Sequence, residues 1–288
     1  MRLIASIILS ALVVSTAVAN TKVIYGDDNR LDVFAATNSL HVELSRSTAA
    51  MISGSALSQS SDVFTVRGST LRSRGMCASE RFANQMTAAR CSGFLVGPDL
   101  LVTAGHCVRS SNDCRNYKWV FDYKQSEGKA SINVPITSVY GCAKVIEQSL
   151  DRRTMDDYAL IKLDRKVTDR TPLTYRNTGK VEDNAPLVVI GHPTGLPTKI
   201  AAGANVRNNN NNYYFVSNLD TYGGNSGSAV FNSETGLVEG ILVRGETDYI
   251  YDRNQGCRVS NLCTDSGCRG EDVTRITNIS ALLDKYVR

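Results

Sequence analysis

Short apolar runs separated by Gly, Asn, Asp and Pro recur along the chain, and helical periodicity is scarce until the end. That pattern predicts an all-β sandwich or barrel protein of many short strands. The clearest hairpin spans residues 90–103, where CSGFLV is followed by Gly97-Pro98-Asp99 and then LLVT. Pro and Asp supply turn chemistry. A turn centred there sets residues whose numbers sum to about 198 opposite one another, and Cys91 and Cys107 meet that condition. The hairpin therefore predicts their disulfide, whose loop closure contributes roughly 3 kcal/mol. Further strands are predicted over 118–123, 158–163, 187–190, 199–206, 213–217, 229–232 and 238–243. The five-Asn run at 208–212 reads as an exposed hairpin tip, since Asn tolerates positive φ. The polar, turn-rich stretch 165–180 is expected to link two halves. Ile279, Leu282, Leu283 and Tyr286 fall at helical spacing after Asn278, a candidate N-cap, and predict a C-terminal amphipathic helix. Residues 20–74, rich in Ser, Thr and Ala, are in part a propeptide or else a long first strand with loops.

Length and composition narrow the class. The 288 residues are 42% apolar, enough for a sizeable core in one large domain or two small ones. The net charge of +4, scattered along the chain, is too small to argue for nucleic acid. Beyond the N-terminus no apolar run reaches the roughly 18 residues of a membrane span. The first 19 residues read as a signal peptide: Arg2, an apolar stretch over 3–14, and Ala17-Val18-Ala19 before Asn20. A single N-terminal anchor is the alternative. Eight cysteines follow, an even count that reads as disulfides in an exported chain. A zinc site would want closely spaced Cys or His pairs. There is no Cys-x-x-Cys and there are three His, so no metal is expected.

Three local sequences carry candidate chemistry: TAGHC at 103–107, DDYALIKL at 156–163 and GGNSGSAVF at 223–231. Alone, each reads equally well as ordinary structure. Together they offer His106, Asp157 and Ser226 on three separate loops. A serine nucleophile needs a general base within hydrogen-bond reach, and the base needs an acceptor to orient it. A Gly-flanked turn can also aim backbone N–H groups at a developing oxyanion.

These motifs, in the order His, Asp, Ser, resemble the trypsin-like (chymotrypsin-fold) serine endopeptidases over about residues 91–243. The GGNSGS run and the start VIYGDDNR at 23–30 are most similar to the bacterial glutamyl-endopeptidase-like branch. The resemblance implies two packed antiparallel six-stranded β-barrels, here with a C-terminal helix. It implies Ser226 as nucleophile, His106 as base and later acid, and Asp157 as the group that orients His106. It selects Asp157 over Asp156, because the acid precedes an aromatic-Ala dipeptide. It implies an oxyanion hole from the N–H groups of Gly224 and Ser226, and it carries a disulfide matching Cys91–Cys107. The other six cysteines leave fifteen connectivities open. Asn225 stands where animal digestive members have an Asp that pairs with a freed N-terminal amine, so that activation pair is not expected. Processing between Lys22 and Val23 is. The expected organisation is a signal peptide over 1–19, a short propeptide over 20–22, and one protease domain over 23–288. Barrel one would cover about 23–170, barrel two about 180–275, and the helix about 278–288.

For the substrate pocket the resemblance implicates Asp220, Thr221, Leu242 and Gly245. Asp220, six residues before Ser226, stands where an acid pairs a Lys or Arg at P1, the residue before the scissile bond. Leu242 replaces the His that glutamyl-selective relatives use, which argues against a strict Glu preference. Arg244 is expected to face solvent. A basic P1 is the preferred reading, a small or apolar one the alternative. His192 is expected in a structural turn and His41 on an exposed early strand. The expected protein is secreted (extracellular or periplasmic), monomeric and without cofactor. It would act on protein or peptide substrates, with a proteinaceous inhibitor as a further partner. The rival function is a non-catalytic exported binding protein on the same scaffold. An esterase or lipase is rejected, because those place the serine in Gly-x-Ser-x-Gly and the histidine last.

Overall fold

The structure, a computed structural model, describes residues 22–283. The expected signal peptide, nearly all of the expected propeptide, and Tyr286 lie outside the described residues. Twelve strands form the body. The first six are β1 (Thr48–Ser53), β2 (Ala89–Gly97), β3 (Leu100–Thr103), β4 (Tyr117–Phe121), β5 (Val139–Leu150) and β6 (Asp157–Leu163). They close in the order β1-β2-β3-β6-β5-β4. The second six are β7 (Pro186–Gly191), β8 (Lys199–Asn208), β9 (Tyr214–Ser217), β10 (Ala229–Asn232), β11 (Val238–Arg244) and β12 (Glu271–Arg275). They close in the order β7-β8-β9-β12-β11-β10, the first topology repeated. Closure pairs each of the twelve strands on both sides, and the short segment Arg30–Asp32 adds to β8 outside the second barrel. One continuous apolar core joins the barrels. It contains Phe94, Leu101, Trp119 and Phe121 of the first barrel and Val188, Ile190, Phe231 and Ile241 of the second.

Four disulfides pin the loops: Cys77–Cys257, Cys91–Cys107, Cys114–Cys142 and Cys263–Cys268. The β2–β3 hairpin pairs Gly93 with Thr103 and Leu95 with Leu101, then slips by a bulge before Gly97. Its register sum is thus 196, two short of the sequence estimate. Cys107 lies beyond the ladder, in the 3-10 turn Gly105–Cys107 that brings it back to Cys91.

Several expectations need correction. Residues 22–32 do not belong to the first barrel: Leu31 and Asp32 pair with β8, and Tyr25 pairs with Cys263. His41 is on no strand. It is buried in α1 (Ser39–Ser45), with Nε2 at 3.0 Å from the Ser233 carbonyl. None of the five consecutive Asn takes positive φ. The tip is held instead by Asn side chains, Asn208 and Asn211 accepting from the backbone two residues on. Asn278 is not an N-cap. Its amide donates to Asp156 and to the Tyr213 carbonyl, both at 2.8 Å. The short α2 (Ser280–Leu283) is capped from β5 by Glu147, which accepts the N–H groups of Ser280 and Ala281. No helix among the described residues is long and apolar enough to cross a membrane.

Candidate active site

β3 ends at Thr103, and the chain turns sharply to present His106. Gly105 is required at that turn, since a Cβ there would collide with the Ser149 and Tyr158 carbonyls. Gln148 of β5 donates to the carbonyls of Gly105 and Val108, both at 2.7 Å, and holds the turn from below. Asp157 opens β6 and is buried. Its two oxygens meet His106 twice: Oδ1 accepts the backbone N–H at 3.0 Å and Oδ2 lies 2.7 Å from Nδ1. A carboxylate can only accept, so Nδ1 carries the hydrogen and Nε2 of the neutral ring is left as a base. Asp156 points elsewhere, to Asn278.

Ser226 comes from the other barrel, in the turn before β10. Its carbonyl oxygen accepts from the Ser92 N–H at 2.8 Å and lies 3.7 Å from Cys107 Sγ, beside His106. Gly227, at φ +89°, has no room for a Cβ against Ser92 and Thr103, which locks the turn onto β2 and β3. The carbonyls of Gly223 and Asn225 accept from Thr194 and Ser228. In a planar trans peptide N–H and C=O point oppositely. The N–H groups of Gly224 and Ser226 therefore point away from those partners, while those of Asn225, Gly227 and Ser228 are spent on carbonyls.

A cavity of about 110 Å3 opens beside Ser226, and Thr221, Leu242 and Gly245 line it. Asp220 does not, which corrects its assignment as the pocket acid. Its oxygens accept the backbone N–H groups of Tyr25 (2.8 Å) and Asn29 (2.9 Å), so the carboxylate anchors the N-terminal segment behind the pocket wall. Burial pushes its pKa up to about 6. The same segment supplies Arg30, buried and ion-paired with Asp28 at 2.7 Å, its guanidinium 4.4 Å from the ring centre of Tyr222. Arg244 is not solvent-directed either: it pairs with buried Asp272 at 3.0 Å and reaches the Met155 carbonyl.

Three acids line the cavity instead, and the most buried of them is Glu271 of β12, which sequence reading missed. It is buried and accepts from Thr221 Oγ1 (2.5 Å) and the Glu246 N–H (3.2 Å). Burial is the main reason its pKa is pushed up to about 8, and nearby Asp248 adds to it. Glu246 and Asp248 also line the cavity. The only available signal was an acid in EDVTR, which reads as a polar surface stretch. His192 is fully buried in its turn, and burial pushes its pKa down to about 3, so it stays neutral.

A sequence model of the trypsin-like peptidase domain matches residues 91–241. Among curated proteins, the extracellular metalloprotease of Bacillus subtilis (strain 168) is 28% identical over 194 residues, 64% of this chain and 58% of that protein. The chain thus spans little more than half the length of this relative. Among solved structures, a Glu endopeptidase in complex with MPD superposes with a TM-score of 0.52 at 14% identity, covering 92% of this chain and 98% of that one. At that identity the likeness speaks for the fold. The relative's name raises the question of a metal. Among the described residues, Cys91, His106 and Cys107 form the one cluster of suitable spacing. It does not fit, because the two sulfurs are bonded to each other and offer no thiolate, and His106 Nδ1 is engaged by Asp157. The family model covers just over half of the chain, from the disulfide beside His106 into β11, and this protein therefore belongs to the trypsin-like peptidase domain family, on the chymotrypsin fold.

Proposed function

We propose that this protein is an exported endopeptidase that cleaves after Lys or Arg through an acyl-enzyme on Ser226. The observation that carries the reading is the double contact between His106 and Asp157, with the ring Nδ1 at 2.7 Å. It fixes the tautomer that a general base requires. In this reading Ser226 Oγ attacks the scissile carbonyl as its proton passes to His106 Nε2. The N–H groups of Gly224 and Ser226 receive the oxyanion. His106 then protonates the leaving amine, and water releases the acyl group by the same steps in reverse. The four disulfides suit an oxidising compartment. The basic P1 preference rests on Glu271 rather than Asp220. The charge of Arg244 is spent on Asp272, which leaves Glu246, Asp248 and Glu271 as the acids of the pocket.

The test is oxidatively folded protein offered a P1 scan of fluorogenic peptides and a serine-directed phosphonate, beside Ser226→Ala. Loss of one triad member is expected to lower the rate by several orders of magnitude. Labelling and turnover that both vanish in Ser226→Ala support the reading. A folded wild type that neither labels nor cleaves would make the protein a binding scaffold.

A further inference from the structure

The cleft does not end at the P1 pocket. Across a wall made by Gly223 and Asp248, which line both cavities, lies a second depression of about 550 Å3. Gly224 borders it on one side. On the other are Ala88, Ala89 and Arg90, leading into Cys91, and Arg74 of the 3-10 turn Arg72–Arg74. Its position relative to the scissile bond follows from the disulfide. The leaving amine takes its proton from His106. The next residue, Cys107, is bonded to Cys91, the neighbour of Arg90. A chain that leaves the site past His106 therefore crosses this disulfide into the second depression, while the P1 side chain lies on the other side of Gly223.

The charges of the depression are lopsided. Arg74 is planted by a single nitrogen, Nη1, which donates to the Thr194 carbonyl (3.0 Å) and Thr87 Oγ1 (3.3 Å). Arg90 lies over the ring of Tyr117, with its Nη1 donating to that hydroxyl at 2.9 Å. Its acidic neighbour Asp113, at 3.4 Å, also accepts the N–H groups of Arg109 and Ser110 in a helix cap. The lining holds one carboxylate of its own, Asp248, which accepts the Gly223 N–H at 2.7 Å and whose burial favours its neutral form. Two anchored guanidiniums thus face a space large enough for a side chain, opposed by one acid that is already engaged. Arginine forks of this kind match carboxylate geometry.

We propose that this depression is a substrate subsite on the leaving-group side of the scissile bond and that it takes an Asp or Glu side chain, held by Arg74 and Arg90. The proposal rests on the peptidase reading, so its test includes a readout that does not need turnover. Peptides with Lys at P1 carry Asp, Asn or Lys at each of the first three positions after the scissile bond. Their turnover by wild type is measured, and so is their binding to Ser226→Ala. At one position Asp is expected to exceed Asn by about fivefold or more in kcat/KM at low salt, and the advantage should shrink as salt screens it. The same order should appear in binding to Ser226→Ala. Arg90→Gln, at an exposed side chain, and Arg74→Gln should each bring the Asp-to-Asn ratio towards one. Arg74→Lys, which keeps the charge but not the fork, should retain part of it. Binding that favours Asp without any cleavage would keep the subsite and discard the peptidase reading. A ratio at or below one at all three positions in both measurements would overturn the proposal. So would a preference for Lys, which would hand the depression to Asp248, or an Asp preference untouched by both Gln variants.

Discussion

Replacing Glu271 by Gln tests the pocket directly. The side chain keeps its shape and can still accept from Thr221, but the carboxylate is gone. A cation about 4 Å from a carboxylate gains roughly 4 kcal/mol at an effective dielectric constant of about 20. Removing one partner of such a buried pair costs about 2–5 kcal/mol after desolvation is counted. The free enzyme withholds part of this near neutrality, because the carboxyl is pushed up to about 8 and is mostly protonated at pH 7. Ionising it there takes back about 1.4 kcal/mol. The measurement is the ratio of kcat/KM for Lys at P1 to that for norleucine, in which the titration of the triad cancels. In wild type this ratio should climb about tenfold between pH 7 and pH 9, following the ionised fraction of Glu271. In Glu271→Gln it should be flat and, at pH 9, lower by about 30-fold or more. Stability gives a second reading. The folded protein holds this proton up to about pH 8, whereas the unfolded chain releases it near the ordinary value of 4.5. The native state thus binds more protons over that window, and wild-type stability falls as pH rises through it by about 1.4 kcal/mol per unit. Glu271→Gln lacks this loss, so its urea midpoint should overtake that of wild type towards alkaline pH. A flat wild-type ratio, or a Gln variant with the wild-type ratio, would refute the assignment.

Asp220→Ala should leave the ratio of basic to neutral P1 intact. It should lower the unfolding free energy by about 1–3 kcal/mol for each N–H left without an acceptor, those of Tyr25 and Asn29, as read by urea denaturation. Gly227→Ala forces a Cβ against Ser92 and Thr103 at φ +89° and should cost about 3 kcal/mol or more, seen as a drop in thermal midpoint or loss of folded yield. Joint replacement of Cys91 and Cys107 by Ala opens a closure of 16 residues and should cost about 3 kcal/mol, with turnover falling because the His106 turn loosens.

What could be read in advance was what is local. The strands over 158–163, 229–232 and 238–243 are dense in Val, Ile, Leu and Phe, and they lie within observed strands. The β2–β3 hairpin carries its own turn chemistry. β5 and β12 were not legible. β5 is buried only at Val139, Tyr140 and Gly141, and beyond them half-buried positions are interrupted by exposed ones such as Lys144 and Gln148, so its pattern is diluted; β12 reads EDVTR yet is wholly buried. Polar strands of this kind are stable only because the barrel supplies partners, such as Thr221 and Glu246 for Glu271, and Arg244 and Arg269 for Asp272. His106, Asp157 and Ser226 could be named from their flanks, since each motif builds its own turn. The role of Asp220 could not. Six residues before Ser226 is a distance along the chain, and where a carboxylate points depends on which donors reach it. In this fold the donors are Tyr25 and Asn29, almost two hundred residues away in sequence. The sequence alone therefore determined the class of fold and the candidate residues of the chemistry, because hydrophobic pattern and turn residues act within a few positions. Only the tertiary structure decided which acids line the cavity beside Ser226, because burial and hydrogen-bond partners are properties of the closed barrels.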